Sequence, residues 1–116
     1  MQVVFLDSES SGSSRYTHHG ADIHEYPDTA FMDLAERCRH TDAIVTRVMP
    51  LRREILDYVT RPRHIIVPLR DAERLVEGEI AGQLEIQVHT VDSDPADWPS
   101  FKAEVLSIVR SLLPEQ

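Results

Sequence analysis

The chain has 116 residues and a formal net charge of −8, with 41% hydrophobic and 28% charged residues. This composition is typical of one globular domain and excludes collagen-like and low-complexity chains. Nucleic acid is not expected as a partner, because phosphate binding needs a cationic face and the chain has 12 basic against 20 acidic residues.

The longest apolar runs, such as Ile65-Ile66-Val67-Pro68-Leu69, are too short to cross a bilayer, so no membrane partner is expected. The first residues lack a basic segment followed by an apolar one, and a cytoplasmic location is therefore expected. The one cysteine, Cys38, excludes an internal disulfide and a multi-cysteine zinc site.

Short apolar segments alternate with helical patterns along the chain. Strands are predicted at 2–6, 21–26, 43–48, 64–69 and 84–91, and helices at 28–38, 50–61, 71–83 and 98–112. This alternation predicts an α/β fold: a three-layer, doubly wound, five-stranded parallel sheet of the flavodoxin-like kind. Residues 8–20 are too few for a full crossover helix and are predicted to be a polar loop, so the first helix is expected to be shortened or absent.

Apolar residues recur at helical spacing in each predicted helix and indicate which face is buried. The predicted buried positions are Phe31, Leu34, Ala35 and Cys38; Leu51, Ile55 and Val59; Leu75, Val76 and Ile80; and Trp98, Phe101, Val105, Ile108, Val109 and Leu112. The last stripe is broad for a small domain and predicts a two-fold homodimer through residues 98–112. Residues 84–91 alternate with period two, which is typical of an edge strand.

Residues 42–91 carry short motifs in a fixed order. They are Asp-Ala-Ile-Val-Thr-Arg at 42–47, Pro-Leu-Arg-Arg-Glu-Ile-Leu at 50–56, Arg-His-Ile-Ile-Val at 63–67 and Gln-Leu-Glu-Ile-Gln-Val at 83–88. In order and spacing these motifs resemble the substrate-binding half of the D-2-hydroxyacid dehydrogenases. The resemblance implies a flavodoxin-like fold that recognises a small carboxylate.

Two departures from that family bear on function. No Gly-x-Gly occurs anywhere in the chain, so a dinucleotide pyrophosphate turn cannot form and no cofactor is expected. The family's Gly-x-Gly-x-Asp segment after the fourth strand is replaced here by Leu-Arg-Asp-Ala-Glu at 69–73. The expected protein is therefore not a dehydrogenase by itself. It is a stand-alone relative of the substrate domain that binds a small anionic molecule or a protein partner.

The candidate ligand site lies at the carboxyl ends of the strands, where open parallel sheets bind ligands. Arg47 and Arg70 are predicted to clamp a carboxylate there. The loop and a neighbouring strand are predicted to complete the site through Ser10, Ser11, Gly12, Ser13 and His89. His18 and His19 are the candidate catalytic residues for proton transfer. The alternative is that the two arginines form ion pairs with Asp7, Asp71 or Asp92.

Two further functions stay open from the sequence. One is a small cofactor-free enzyme, for example a biosynthetic one, that uses the same cleft. The other is a flavodoxin-like protein, because the loop at 8–14 (Ser-Glu-Ser-Ser-Gly-Ser-Ser) resembles a flavodoxin phosphate loop. No metal site is expected, since the adjacent His18 and His19 lack the spacing of ligands on one helical face.

Overall fold

A computed structural model describes residues 1–9, 12–59 and 62–113, the side chains of 58 and 59 excepted. The candidate ligand residues Ser10 and Ser11 lie outside the described residues. The strands are β1 (Gln2–Phe5), β2 (Ser14–His18), β3 (Ala21–Glu25), β4 (Ala43–Val45), β5 (His64–Pro68) and β6 (Gln87–Val91). They form a sheet of order β2-β3-β1-β4-β5-β6, in which β2 is antiparallel to β3 and the other neighbours are parallel.

The α/β prediction is confirmed, but the prediction of a purely parallel five-stranded sheet is wrong. The additional strand is β2, in the segment predicted to be a loop. His19 and Gly20 both have positive φ values, 51° and 93°, and connect β2 to β3 as a two-residue hairpin. A hairpin needs far fewer residues than a crossover helix, so the short segment after β1 adds an antiparallel edge strand instead.

The helices are mostly short. They are α1 (Leu34–Arg37), α2 (Ala72–Leu75), α3 (Gly78–Gln83) and α4 (Trp98–Leu112). A 3-10 turn (Phe31–Asp33) precedes α1, another (Leu69–Asp71) precedes α2, and a π-helical turn covers Ile55–Val59. The α4 helix begins where the Asp97 carboxylate accepts a hydrogen bond from the Ser100 N–H. Among the described residues, no helix is both long and apolar enough to cross a membrane.

Helical segments cover both faces of the sheet. The first face packs under α1, the π-helical turn, α2 and α3, with a core of Val4, Leu6, Leu34, Cys38, Ile44, Leu51, Ile55, Leu56, Ile65, Val67, Leu75, Val76, Ile80, Ala81 and Ile86. Among the described residues, α4 is the helix that covers the second face, with a core of Val3, Phe5, Ala21, Ile23, Ala43, Val45, Ile66, Val91, Phe101, Val105 and Val109. Most predicted core positions are therefore confirmed, and the side chain of the predicted core residue Val59 lies outside the described ones.

Of the four buried positions predicted in the helix at 28–38, two are confirmed and two are wrong. Leu34 and Cys38 are fully buried, but Phe31 is 65% exposed and Ala35 is exposed. The reason is that this segment forms a 3-10 turn followed by a single α-helical turn. The different rotation per residue in the 3-10 turn places Phe31 away from the face that carries Leu34. Burial of Cys38 raises the pKa of its thiol to about 12, in line with its predicted role as a core residue.

The α4 stripe packs against its own sheet. Phe101, Val105 and Val109 are buried, while Trp98 and Ile108 are partly buried against the same core. In the part of the chain that the structure describes, the exposed large apolar side chains lie outside α4: Phe31, Met32, Val48, Leu69 and Val88. The homodimer through residues 98–112 stays a prediction, without an exposed stripe on α4 to support it.

A buried carboxylate connects β2, β3 and α4. Glu25 is 2% exposed, and its Oε2 lies 2.7 Å from Lys102 Nζ and accepts a 2.5 Å hydrogen bond from the Tyr16 hydroxyl. The ammonium also lies 4.9 Å from the centre of the Tyr16 ring. Burial and the hydrogen bond to Glu25 raise the pKa of Tyr16, so its hydroxyl remains a donor. This cluster attaches the edge strand to the long helix.

We expect Lys102→Met to lower the free energy of unfolding by about 3–5 kcal/mol, because it leaves Glu25 as a buried charge without its cation. The double variant Glu25→Gln/Lys102→Met should recover part of that loss, since no buried charge remains and Tyr16 keeps an acceptor. Urea unfolding of both variants measures the effect. A double variant less stable than Lys102→Met would contradict this account of the cluster.

Candidate functional site

The carboxyl end of β1 is organised around Asp7. Its Oδ1 accepts a hydrogen bond from the Arg47 N–H at 2.8 Å, and its Oδ2 accepts from the N–H groups of Val48 and Met49 at 2.8 and 3.2 Å. The Thr46 hydroxyl lies 3.2 Å from the same Oδ2. One carboxylate therefore satisfies the backbone donors of the loop after β4 and fixes that loop to β1.

The Arg47 side chain is engaged by the protein itself. Its Nε and Nη2 donate to the Asp7 carbonyl at 2.9 and 2.7 Å, and its Nη1 donates to the Pro95 carbonyl at 2.7 Å. The guanidinium carbon lies 4.8 Å from the centre of the Trp98 ring, and the side chain is 13% exposed. Arg47 thus holds β1 to the loop before α4. The alternative expected from the sequence, an ion pair with Asp7, is present at 3.9 Å between Nε and Oδ1, while the shorter contacts go to the Asp7 carbonyl.

Arg70 lies at the same edge of the sheet, in the 3-10 turn after β5. Its Nη2 is 3.4 Å from Asp94 Oδ2, and its side chain is 61% exposed. Arg47 and Arg70 therefore contact neighbouring residues of one loop, Pro95 and Asp94. The ion pair of Arg70 is with Asp94, whereas the sequence suggested Asp7, Asp71 or Asp92.

The structure does not bring the candidate histidines to these arginines. Because β2 is antiparallel, its last residue, His18, pairs with Ala21 at the amino end of β3, and His19 follows in the hairpin turn. Burial, His19 and Arg110 lower the pKa of His18. His89 pairs in register with Ile66 in the middle of the β5–β6 pair. Gly12 and Ser13 are exposed just before β2.

A cleft that sequence reasoning missed lies between the β2–β3 hairpin and the segment around α1. Its volume is about 500 Å³, within the range of small-molecule sites. It is lined by Gln2, Val4, Arg15, Tyr16, Thr17, Asp22, Ile23, His24, Tyr26, Glu36, Arg37, Arg39 and Thr41. The cleft exists because a hairpin extends the sheet while α1 has only one turn.

Four side chains form a continuous row in the cleft. Arg15 Nε donates to His24 Nδ1 at 3.2 Å, and the His24 and Tyr26 rings stack with their centres 4.0 Å apart. The Arg37 guanidinium carbon lies 4.2 Å from the centre of the Tyr26 ring. Arg37 also donates to Thr29 Oγ1 at 2.9 Å, so the row is fixed at the α1 end.

The cleft is cationic in a chain that is acidic overall. Three arginines line it against two carboxylates, Asp22 and Glu36, in a chain with a net charge of −8, although Arg37 also lies 3.8 Å from Asp33, outside the lining. Asp22 already accepts a hydrogen bond from Gln2 Nε2 at 2.8 Å. An anionic ligand is therefore the favoured occupant on charge.

His24 is held neutral by its surroundings. Its burial and the positive charges of Arg15 and Arg37 lower its pKa. Since Nδ1 accepts the hydrogen bond from Arg15, the ring proton of the neutral form is on Nε2. His24 is therefore a hydrogen-bond donor at neutral pH.

The sequence does carry a signal for this cleft. In a strand, residues two apart point to the same side, so Arg15 and Thr17 share a face of β2, and Asp22 and His24 share a face of β3. The two pairs lie opposite each other in the hairpin register. Because the sequence predicts a loop at residues 14–18, it does not reveal that these two faces lie opposite each other.

No protein-family model matches the chain, and no curated protein matches it either. The resemblance to the D-2-hydroxyacid dehydrogenases therefore rests on the motifs at 42–91 and stays a prediction.

We expect Asp7→Ala to lower the free energy of unfolding by about 2 kcal/mol or more, because it removes the acceptor of backbone N–H groups in the loop after β4. Asp28→Ala is the matched control, since Asp28 is exposed and it is the backbone carbonyl of Asp28 that contacts Arg37. Thermal unfolding of the two variants makes the comparison. Equal losses would show that the Asp7 contacts contribute little.

We expect His24 to make stability depend on pH. Its folded-state pKa lies below the ordinary 6.5, so just below that pH the unfolded chain binds more protons than the folded one. Stability from this residue is then present above pH 6.5 and is lost as the pH falls through the lowered pKa. Urea midpoints between pH 7.5 and about 5 should fall less steeply for His24→Gln than for the parent. Parallel curves would contradict the assignment.

Proposed function

We propose that this protein binds a small anionic molecule, a carboxylate or a phosphate, in the cleft between the β2–β3 hairpin and α1. The observation that carries the proposal is the grouping of Arg15, Arg37 and Arg39 around a cleft of about 500 Å³. Arginine suits this task because its planar fork of donors matches carboxylate and phosphate oxygens.

The donors in the cleft differ in how they are held. Arg37 is fixed by Thr29 and Tyr26, and Arg15 is oriented by His24. Arg39 is exposed two residues beyond Arg37. A ligand that contacts Arg15 and Arg39 would receive charge-assisted hydrogen bonds, each contributing about 1.5–3 kcal/mol. The Nε2–H of neutral His24 supplies a further donor.

The carboxyl edge of the sheet is a weaker location for this ligand. An anion there would compete with the Asp7 and Pro95 carbonyls for the donors of Arg47. Losing those contacts would also release the loop before α4. The cleft beside β2 requires no such exchange.

The strand order supports the relation to a flavodoxin-like substrate domain. The parallel strands follow the order β3-β1-β4-β5-β6, in which the first strand lies between the second and the third, as in flavodoxin-like sheets. We propose that the chain is a relative of the substrate-binding half of the D-2-hydroxyacid dehydrogenases, and that a 2-hydroxy acid is a ligand of the right chemical class.

His24 favours binding over proton abstraction. A general base needs a free lone pair near the substrate, but the Nδ1 lone pair of His24 accepts from Arg15 and its Nε2 carries the proton. The alternative of a cofactor-free enzyme is therefore less well supported at this cleft than a binding protein.

Isothermal titration with D-lactate, malate and inorganic phosphate tests the proposal. We expect at least one of these anions to bind, and Arg15→Gln and Arg39→Gln each to weaken its binding about ten-fold or more. Arg52→Gln is the matched control, because it removes an exposed arginine outside the cleft. That variant should bind like the parent.

Arg47→Lys distinguishes the two locations. Lysine keeps the charge and loses the fork, so an anion held at the carboxyl edge would bind about ten-fold more weakly to this variant. Loss of binding in Arg47→Lys, with Arg15→Gln and Arg39→Gln unaffected, would move the site to that edge. No binding of any of the three anions to the parent protein would overturn the proposal.

A further inference from the structure

His64 and His89 form a pair of imidazoles across the β5–β6 edge of the sheet. His64 Nδ1 lies 3.1 Å from His89 Nε2, and the ring centres are 5.2 Å apart at an angle of 42°. Both side chains are partly buried, so the backbone of two paired strands and the surrounding protein hold their positions. This pair is far along the sheet from the β2 edge and plays no part in the proposed anion site.

The distance between the two nitrogens suits a shared metal ion. Zinc–imidazole bonds are about 2.0–2.1 Å long. With both nitrogens at such a distance from one ion, a separation of 3.1 Å corresponds to an N–Zn–N angle of about 98°. That angle lies between the right angle of square-planar sites and the tetrahedral value.

We propose that His64 Nδ1 and His89 Nε2 together bind one divalent transition-metal ion of the zinc, nickel or copper class. Imidazole nitrogen is a preferred ligand of these ions, whereas calcium and magnesium require oxygen ligands. The described residues contain no group of three or more His, Cys, Asp or Glu side chains that could hold a metal. Solvent water therefore completes the coordination, and the site is a weak, exchangeable one rather than a closed structural one.

The tautomers of the two rings decide whether they can share an ion. A neutral imidazole keeps one N–H, so metal binding requires the protons on His64 Nε2 and His89 Nδ1, which leaves the two facing nitrogens free as ligands. Asp42 and Arg63 are nearby groups of opposite charge. A bound ion would cross-link edge strand β6 to β5 and would stabilise the folded chain in proportion to its occupancy.

The test uses Zn²⁺ alone, added to protein first treated with a chelator. We expect saturable binding by isothermal titration and a rise of several degrees in Tm, reversed by EDTA. His64→Gln and His89→Gln should each weaken Zn²⁺ binding at least ten-fold and abolish the Tm shift. Circular dichroism of both variants checks that they are folded.

The matched control is the other neighbouring pair of histidines, His18 and His19, whose ring centres are 4.6 Å apart in an edge-to-face arrangement. The double variant His18→Gln/His19→Gln should keep the Zn²⁺ affinity of the parent. Zinc binding that survives in folded His64→Gln and His89→Gln, or is lost in the control, would overturn the proposal. No binding to the parent protein at millimolar zinc would leave His64 and His89 as a simple hydrogen-bonded pair and would overturn it equally.

Discussion

The buried carboxylate of Glu25 is the contact on which the outer part of the sheet depends. An edge strand of five residues has one neighbour and gains little stability from its own pairing. The hydrogen bond from Tyr16 and the ion pair with Lys102 attach that strand to β3 and to α4. A charge that is almost fully buried is costly unless it is paired, so the three groups act as one unit. Since Lys102 is the one lysine of the chain, no nearby residue of the same type could replace it.

The same attachment positions the candidate anion site. Tyr16 faces α4, and residues alternate across a strand, so Arg15 and Thr17 face the opposite side, toward the cleft. Fixing Tyr16 therefore restricts the position of Arg15, whose Nε donates to His24. Arg15 and His24 lie on paired strands, which limits their motion, whereas Arg37 ends α1 and Arg39 lies in the turn after it. The described residues between β1 and β3 form a hairpin rather than a crossover helix, so this part of the sheet is left open.

Sequence patterns predicted the parallel strands and most of the buried core, because burial of apolar side chains at period two or at helical spacing is a strong signal. They failed at β2, where Ser14, Arg15 and Thr17 are exposed on an edge and give no apolar alternation. They also failed at Phe31, where a 3-10 turn changes the rotation per residue. Arg47 follows the end of β4, as the sequence predicts, and its role as a ligand-binding residue stays a prediction. Its actual partners, the carbonyls of Asp7 and Pro95, depend on two loops meeting in space, which spacing along the chain does not encode.

In an acidic protein with an arginine-lined cleft, the electrostatic interaction with an anion differs between long and short range. The net charge of −8 repels an anion in bulk solvent, but at physiological ionic strength that repulsion is screened beyond about 8 Å. At the proposed site Arg15 and Arg39 are exposed and Arg37 is half-buried, so a bound anion would itself displace water from them, and their attraction would then be screened less. Affinity would depend on direct contacts rather than on steering from a distance. Under the proposal, a ligand would have to match the spacing of the arginines and the His24 donor, and the overall charge would disfavour non-specific anions.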